Sequence, residues 1–297
     1  RYKGHPVAAV AATDLNLAAL AAAAVEVEYE PLPPVLDVDS ALASGAVVVH
    51  KDIEGDDLGE KVTNTNLADH FRHEFGDLDQ GFVSAETIVE HKYFITMVHQ
   101  GYIEPQNATA VWDQEDRVRV WTSTQGAFTA RREISGILRL DESRVKVTPL
   151  EIGGGFGGKT TIYLEPLAAL LSKKTGHPVK FTMSRADVLE ATGPTAGTYM
   201  KVKMGATKDG RLTAAHATLM YEAGAFPGSP VGAAAQCIFT PYNLENVQID
   251  GYDVVDNKPK SAAYRAPGAP AAAYAAETVV DELARKLSKD PLEFRLL

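Results

Sequence analysis

"RVKVTPLEIGGGFGGKTTIYLEPLAALL", residues 144–171, is the stretch on which the fold turns. Val145 to Leu150 is rich in β-formers, five glycines surround Phe156 between Gly153 and Gly158, and Glu165 to Leu171 is an apolar helical run. Strand, glycine loop and helix in that order can present backbone N–H groups to an anion. "GGGFGGKT" (153–160) also fits the phosphate-loop template G-x-x-x-x-G-K-[ST] when read literally. A nucleotide hydrolase needs in addition an apolar strand ending in a magnesium-holding acid. "NVQID", ending at Asp250, is the best candidate and a weak one. Phe156 is a large ring in the middle of what would be a phosphate cradle. Glycines placed so can equally let the backbone approach a bulky ligand, or make a plain turn.

On either side the pattern mixes strands with helices. Upstream, residues 87–98 read as a strand, 108–123 as a hairpin turning at Asp113 to Asp116, and 128–140 as an amphipathic helix. Downstream come a strand at 179–184, a long hairpin at 198–224 turning at Lys208-Asp209-Gly210, a strand at 244–255 and a helix of small residues at 269–287. The N-terminal region reads as strand (Val7–Ala11), helix capped at Thr13 or Asp14 and running to Ala24, then strand (Val25–Tyr29), stopped by Pro31, Pro33 and Pro34. Residues 37–80 are polar and read as a connector. The expected class is α+β (mixed α/β).

Composition narrows the function. The chain has 297 residues, with 45% hydrophobic and 23% charged, ordinary values for a globular protein. A net charge of -10 argues against nucleic-acid or anionic-membrane partners. Arg131-Arg132 and Lys173-Lys174 read as solvated helix faces. One cysteine, Cys237, excludes an internal disulfide and an all-cysteine zinc or iron–sulfur site, and it reads as a small buried residue. There is no signal peptide and no apolar run of membrane-spanning length, so no membrane insertion and a cytoplasmic location are expected. An opening at Arg1, directly on a strand, suggests a piece of a larger polypeptide. His70 and His73 have the i, i+3 spacing of a helical zinc pair, but no further ligand stands nearby and a polar connector face is favoured. His91 and His99 are placed on one face of one strand.

Three motifs in fixed order carry more weight: "VWTSTQGAF" (120–128), "EIGGGFGGK" (151–159) and "SAAYRAPGAP" (261–270). With "EPQNATAVWD" (104–113) and "DELARKLSKDPLEFRLL" (281–297) they make nearly the whole chain resemble the molybdenum-binding (large) subunit of the xanthine dehydrogenase/aldehyde oxidase family of molybdenum hydroxylases. The opening resembles the end of the a/b hammerhead domain of that family. The resemblance implies a partial hammerhead-like domain and connector at 1–60 and the first molybdopterin-binding domain at 61–297.

It implies a chemistry as well. Molybdenum is held by the dithiolene of a molybdopterin, in the cytosine dinucleotide form common in bacteria, so the protein supplies no direct metal ligand. Gln125 corresponds to a glutamine that hydrogen-bonds the metal's oxo group. Gly154, Gly155, Phe156 and Gly157 match the loop lying against the metal centre, and Arg295 a residue whose backbone lies near it. Arg265 matches an active-site arginine that steadies negative charge on the substrate. The reaction implied is hydroxylation with water-derived oxygen, electrons leaving through 2Fe-2S and FAD on partner subunits. The family's general base lies in a second molybdenum-binding domain, or subunit, that these residues do not include; the isolated chain is expected to be inactive. Thr160 stands where purine-oxidising members carry glutamate, which disfavours xanthine. Ala266 stands where carbon monoxide dehydrogenases carry cysteine. An aldehyde, an N-heterocycle or an aromatic acyl-CoA remains as the small-molecule substrate. Lys159 is left between neutralising phosphate and reaching solvent, Glu104 is given a structural role, and Glu151 and Glu165 none. The competing readings are a P-loop nucleotide-binding protein and a cofactor-free structural relative.

Overall fold

Eleven strands form two sheets, most of them on alternating apolar positions, described by a computed structural model covering residues 1–297. In chain order they are β1 (Gly55–Asp57), β2 (Glu60–Val62), β3 (Leu67–Phe75), β4 (Thr87–Ile95), β5 (Asn107–Trp112), β6 (Val118–Thr122), β7 (Val145–Pro149), β8 (Val179–Thr182), β9 (Thr198–Ala206), β10 (Leu212–Gly224) and β11 (Val247–Val255). The larger sheet runs β2-β1-β3-β11-β10-β9-β4 and the smaller β7-β6-β5-β8. β9 and β10 form the expected antiparallel hairpin, with Leu219 opposite Met200, and Gly210 takes the left-handed turn position. β11 runs parallel to β10, which requires a crossover.

Helices supply that crossover and cover the sheets. They are α1 (Leu15–Ala23), α2 (Val38–Leu42), α3 (Leu78–Val83), α4 (Ala127–Leu138), α5 (Glu165–Thr175), α6 (Arg185–Ala191), α7 (Val231–Cys237), α8 (Ala269–Lys286) and α9 (Pro291–Arg295). α8 lays Ala272, Ala275, Ala276, Val279, Val280 and Leu283, all fully buried, into one core with the inner faces of β9 and β10. Its alanines let the helix approach the sheet closely, while each buried valine or leucine contributes about 1.5–3 kcal/mol. α4 and α5 cover the smaller sheet through Ile134, Ala168 and Ala169, which pack on Ala110, Val118, Val120 and Val145. No helix is long and apolar enough to cross a membrane.

Several expectations are corrected. Residues 7–11 and 25–29 are not strands, because no other segment pairs with them, and a strand exists only through its ladder. α1 between them forms as expected, with Asp14 accepting from the N–H groups of Asn16 and Leu17, yet it buries nothing. The supposed connector contains β3, a nine-residue strand inside the larger sheet. β3 hides its character because its sequence, LADHFRHEF, carries polar groups on both faces. His70 and His73 therefore point to opposite faces of a strand, not along one helix, and cannot form a zinc pair. His91 lies in β4, whereas His99 lies beyond its end. Cys237 is exposed, at the end of α7.

Candidate active site at the junction of the two sheets

The glycine loop leaves the end of β7 and threads between two other segments. One is the connection between β4 and β5, carrying Gln100, Tyr102 and Glu104; the other is residues 261–266, between β11 and α8. Contact is close enough to demand glycine at two positions in particular. A Cβ on Gly155 would stand 2.6 Å from Gln125 Oε1. A Cβ on Gly157, whose φ is +106°, would stand 2.5 Å from the carbonyl oxygen of Ala263. Phe156 between them holds φ +53° despite its side chain, and its ring is 51% exposed.

Gln125 follows β6 and is tied to the loop through both its backbone and its side chain. Its backbone N–H donates to Lys159 O at 2.9 Å. Its side-chain Oε1 accepts from Gly157 N at 2.8 Å and Lys159 N at 3.2 Å. Two N–H donors on one side fix which amide atom is oxygen. The Nε2 donors therefore face away from the loop, with no partner in the chain. Arg265 joins from the other side, its backbone N–H donating to Phe156 O at 2.9 Å. Its exposed guanidinium has no carboxylate partner and borders a cavity of 380 Å³ lined also by Ile95, Val98, Thr198, Tyr264 and Pro270. Gln125, the loop and Arg265 are thus assembled by direct hydrogen bonds.

Lys159 neither reaches solvent nor is free for a phosphate. It is 1% exposed, and its Nζ donates to Glu104 Oε2 at 2.7 Å. The same oxygen accepts from Gly153 N at 2.7 Å, while Asn107 Nδ2 donates to Glu104 Oε1. Burial pushes the Glu104 carboxyl up, but these donors and the lysine charge win and hold it below the usual range. Gln100, buried, donates from Nε2 to the carbonyls of Gly193 and Ala263. The "EPQN" match gives Glu104 a structural role in the sequence, but neither its pairing with Lys159 nor the part of Gln100 is legible there, because the partners are remote in sequence.

Other candidates stand apart. Thr160 lies at the loop's end and is exposed, its hydroxyl donating to Gly157 O at 2.8 Å. Glu151 is exposed, and Glu165 is buried and accepts from Thr122 Oγ1 and Tyr163 N. Arg295 is drawn to α8, paired with Glu277 at 2.7 Å and Asp281 at 2.8 Å. Glu277 stands eight residues into that helix, roughly 12 Å along its axis, and Arg295 makes no hydrogen bond to the loop. Asp250 sits in the larger sheet among Arg72, His216 and Gln248. With Asp250 committed there and Lys159 to Glu104, the P-loop reading loses both groups it needs.

The donor set suits a bulky cofactor that brings its own metal ligands. The site offers neutral N–H donors, a close-packed glycine backbone and one guanidinium, and the chain has no group of three His, Cys, Asp or Glu side chains able to hold a metal ion.

A family model, the molybdopterin cofactor-binding domain, matches residues 59–297. The large molybdopterin subunit of a nicotinate dehydrogenase from Eubacterium barkeri is 33% identical across 100% of this chain and 68% of its own length. The large subunit of nicotine 6-hydroxylase from Paenarthrobacter nicotinovorans is 31% identical across 99% of this chain, which spans only 36% of that relative. Among solved structures, quinoline 2-oxidoreductase from Pseudomonas putida 86 superposes with a TM-score of 0.83 at 25% identity, covering 96% of this chain and 36% of that one. Carbon monoxide dehydrogenase from Oligotropha carboxidovorans gives 0.85 at 29%, covering 96% and 37%.

Proposed function

The chain belongs to the molybdopterin cofactor-binding domain family of the molybdenum hydroxylases, and from that premise we propose that Gln125, the Gly154–Gly157 loop and Arg265 form the working face of its active site. The observation that carries this reading is the pinned amide of Gln125, with Oε1 spent on two loop N–H groups and Nε2 left outward as a donor. When bound, the molybdopterin, in its cytosine dinucleotide form, supplies the redox centre that hydroxylates the substrate with oxygen from water. The Gln125 Nε2 group orients that centre by hydrogen bonding. The loop backbone lets it approach, and the exposed Phe156 ring walls the pocket. Arg265, unpaired within the chain, steadies negative charge developing on the substrate. Arg295 contributes at most through its backbone, since its side chain is engaged with α8.

The general base comes from a second molybdenum-binding domain or subunit. Electrons pass to an iron–sulfur subunit and an FAD subunit, and the isolated chain does not turn over. The substrate is an N-heteroaromatic ring. Relatives named for nicotinate, nicotine and quinoline support this, as does the apolar cavity beside Arg265. Thr160, exposed beside the loop, is neutral, and the family resemblance disfavours a purine on that ground.

The test is a substrate panel run with the protein and its partners in ¹⁸O-labelled water. Labelled hydroxylated product from nicotinate, nicotine or quinoline, with little from xanthine or aliphatic aldehydes, is the expected result. Turnover of aldehydes alone would overturn the substrate class.

A further inference from the structure

We propose that Glu104, acting through Lys159, is a positioning residue that holds the glycine loop in register with the Gln125 amide. The inference rests on the role given to Gln125 above. Lys159 links the two because its backbone and its side chain serve different partners. Its backbone N–H donates to Gln125 Oε1, and its carbonyl accepts from both Gln125 N and Thr124 Oγ1. Wherever residue 159 sits, the Gln125 amide follows. Its side chain runs inward, 1% exposed, past the Tyr102 ring at 5.0 Å to Glu104 Oε2. That oxygen also accepts the N–H of Gly153, so one carboxylate staples the first and last turns of the loop.

Stability is a poor reason for such a pair. Burying the lysine against a carboxylate that stays 26% exposed costs desolvation that their attraction barely repays, and a well-packed apolar substitute commonly does as well. What an apolar pair cannot do is fix residue 159 to a fraction of an ångström relative to Gly153. A shift of that order at a residue orienting the reacting centre lowers turnover without changing substrate affinity.

A single substitution strands a buried charge and can prevent folding, so the decisive variant is the double Glu104→Gln/Lys159→Met. Its side chains keep the volumes, and the glutamine can still accept from Gly153. In the full protein with its partner subunits, three readouts are compared with the parent: Tm, hydrogen exchange of the 153–160 segment by mass spectrometry, and kcat against KM. The expected result is an unchanged Tm, faster exchange confined to 153–160, and kcat lowered on the order of 10²-fold with KM unaltered. Parent-like exchange and kcat would overturn the proposal, as would a drop in Tm with exchange rising throughout the protein. If the parent carries no molybdenum, the functional reading fails, and the exchange pattern still decides whether the staple holds the loop.

Discussion

Gln125 can offer the proposed site only its Nε2 donors, because Gly157 and Lys159 occupy its oxygen. Gln125→Glu puts a second acceptor where Nε2 stood, so turnover should fall roughly 10–100-fold at equal molybdenum content. Steady-state kinetics normalised to metal would show it, and parent-like turnover would remove Gln125 from the site. Gly157→Ala meets the Ala263 carbonyl and forces alanine to a φ of +106°. The strain is about 1–3 kcal/mol before the clash is counted, to be read as a lower Tm together with cofactor loss. Gln125, the loop and Arg265 were legible in sequence because each lies in a short motif with its glycines or aromatics beside it. Glu104 and Lys159 were not legible as a pair. They stand 55 residues apart, and a lysine after a glycine run looks solvent-bound until the fold buries it.

At the scale of elements, hydrophobic alternation revealed β4 to β11 and α8. It failed at β3, whose polar groups bond across the sheet, as Arg72 and His70 do with Asp250. It also produced two N-terminal strands that find no ladder. Periodicity reports a face to be buried, not a partner to pair with. A buried charge cluster where β10 and β11 end carries a prediction of its own. Glu222 and Asp256, 1% and 0% exposed, share one lysine, Lys258, at 2.6 and 3.8 Å. Asp256 Oδ2 has no hydrogen-bond donor. Burial, reinforced by the Glu222 charge, pushes Asp256 up to about 7. The fold therefore keeps a proton that the unfolded chain releases near pH 4. The contribution of Asp256 to stability is full below that value and is lost by up to ~1.4 kcal/mol per pH unit as pH climbs toward 7. Asp256→Asn should flatten that slope and exceed the parent's stability at pH 8 in denaturant melts across pH 5–8. Equal slopes in both proteins would contradict it.

For the whole molecule, the site owes its existence to the passage of the chain between sheets. The smaller sheet delivers Gln125 after β6 and the loop after β7; the larger delivers Arg265 after β11; the connection from β4 to β5 supplies the floor beneath them. No single sheet holds a complete site. The chain spans 68% of one relative and little more than a third of others. The most direct measurement is the content of molybdenum and cytidine nucleotide per chain in the native complex, purified with its partners. Near-stoichiometric amounts of both are predicted. Absence of both from an intact complex would contradict the assignment of this site to a molybdopterin.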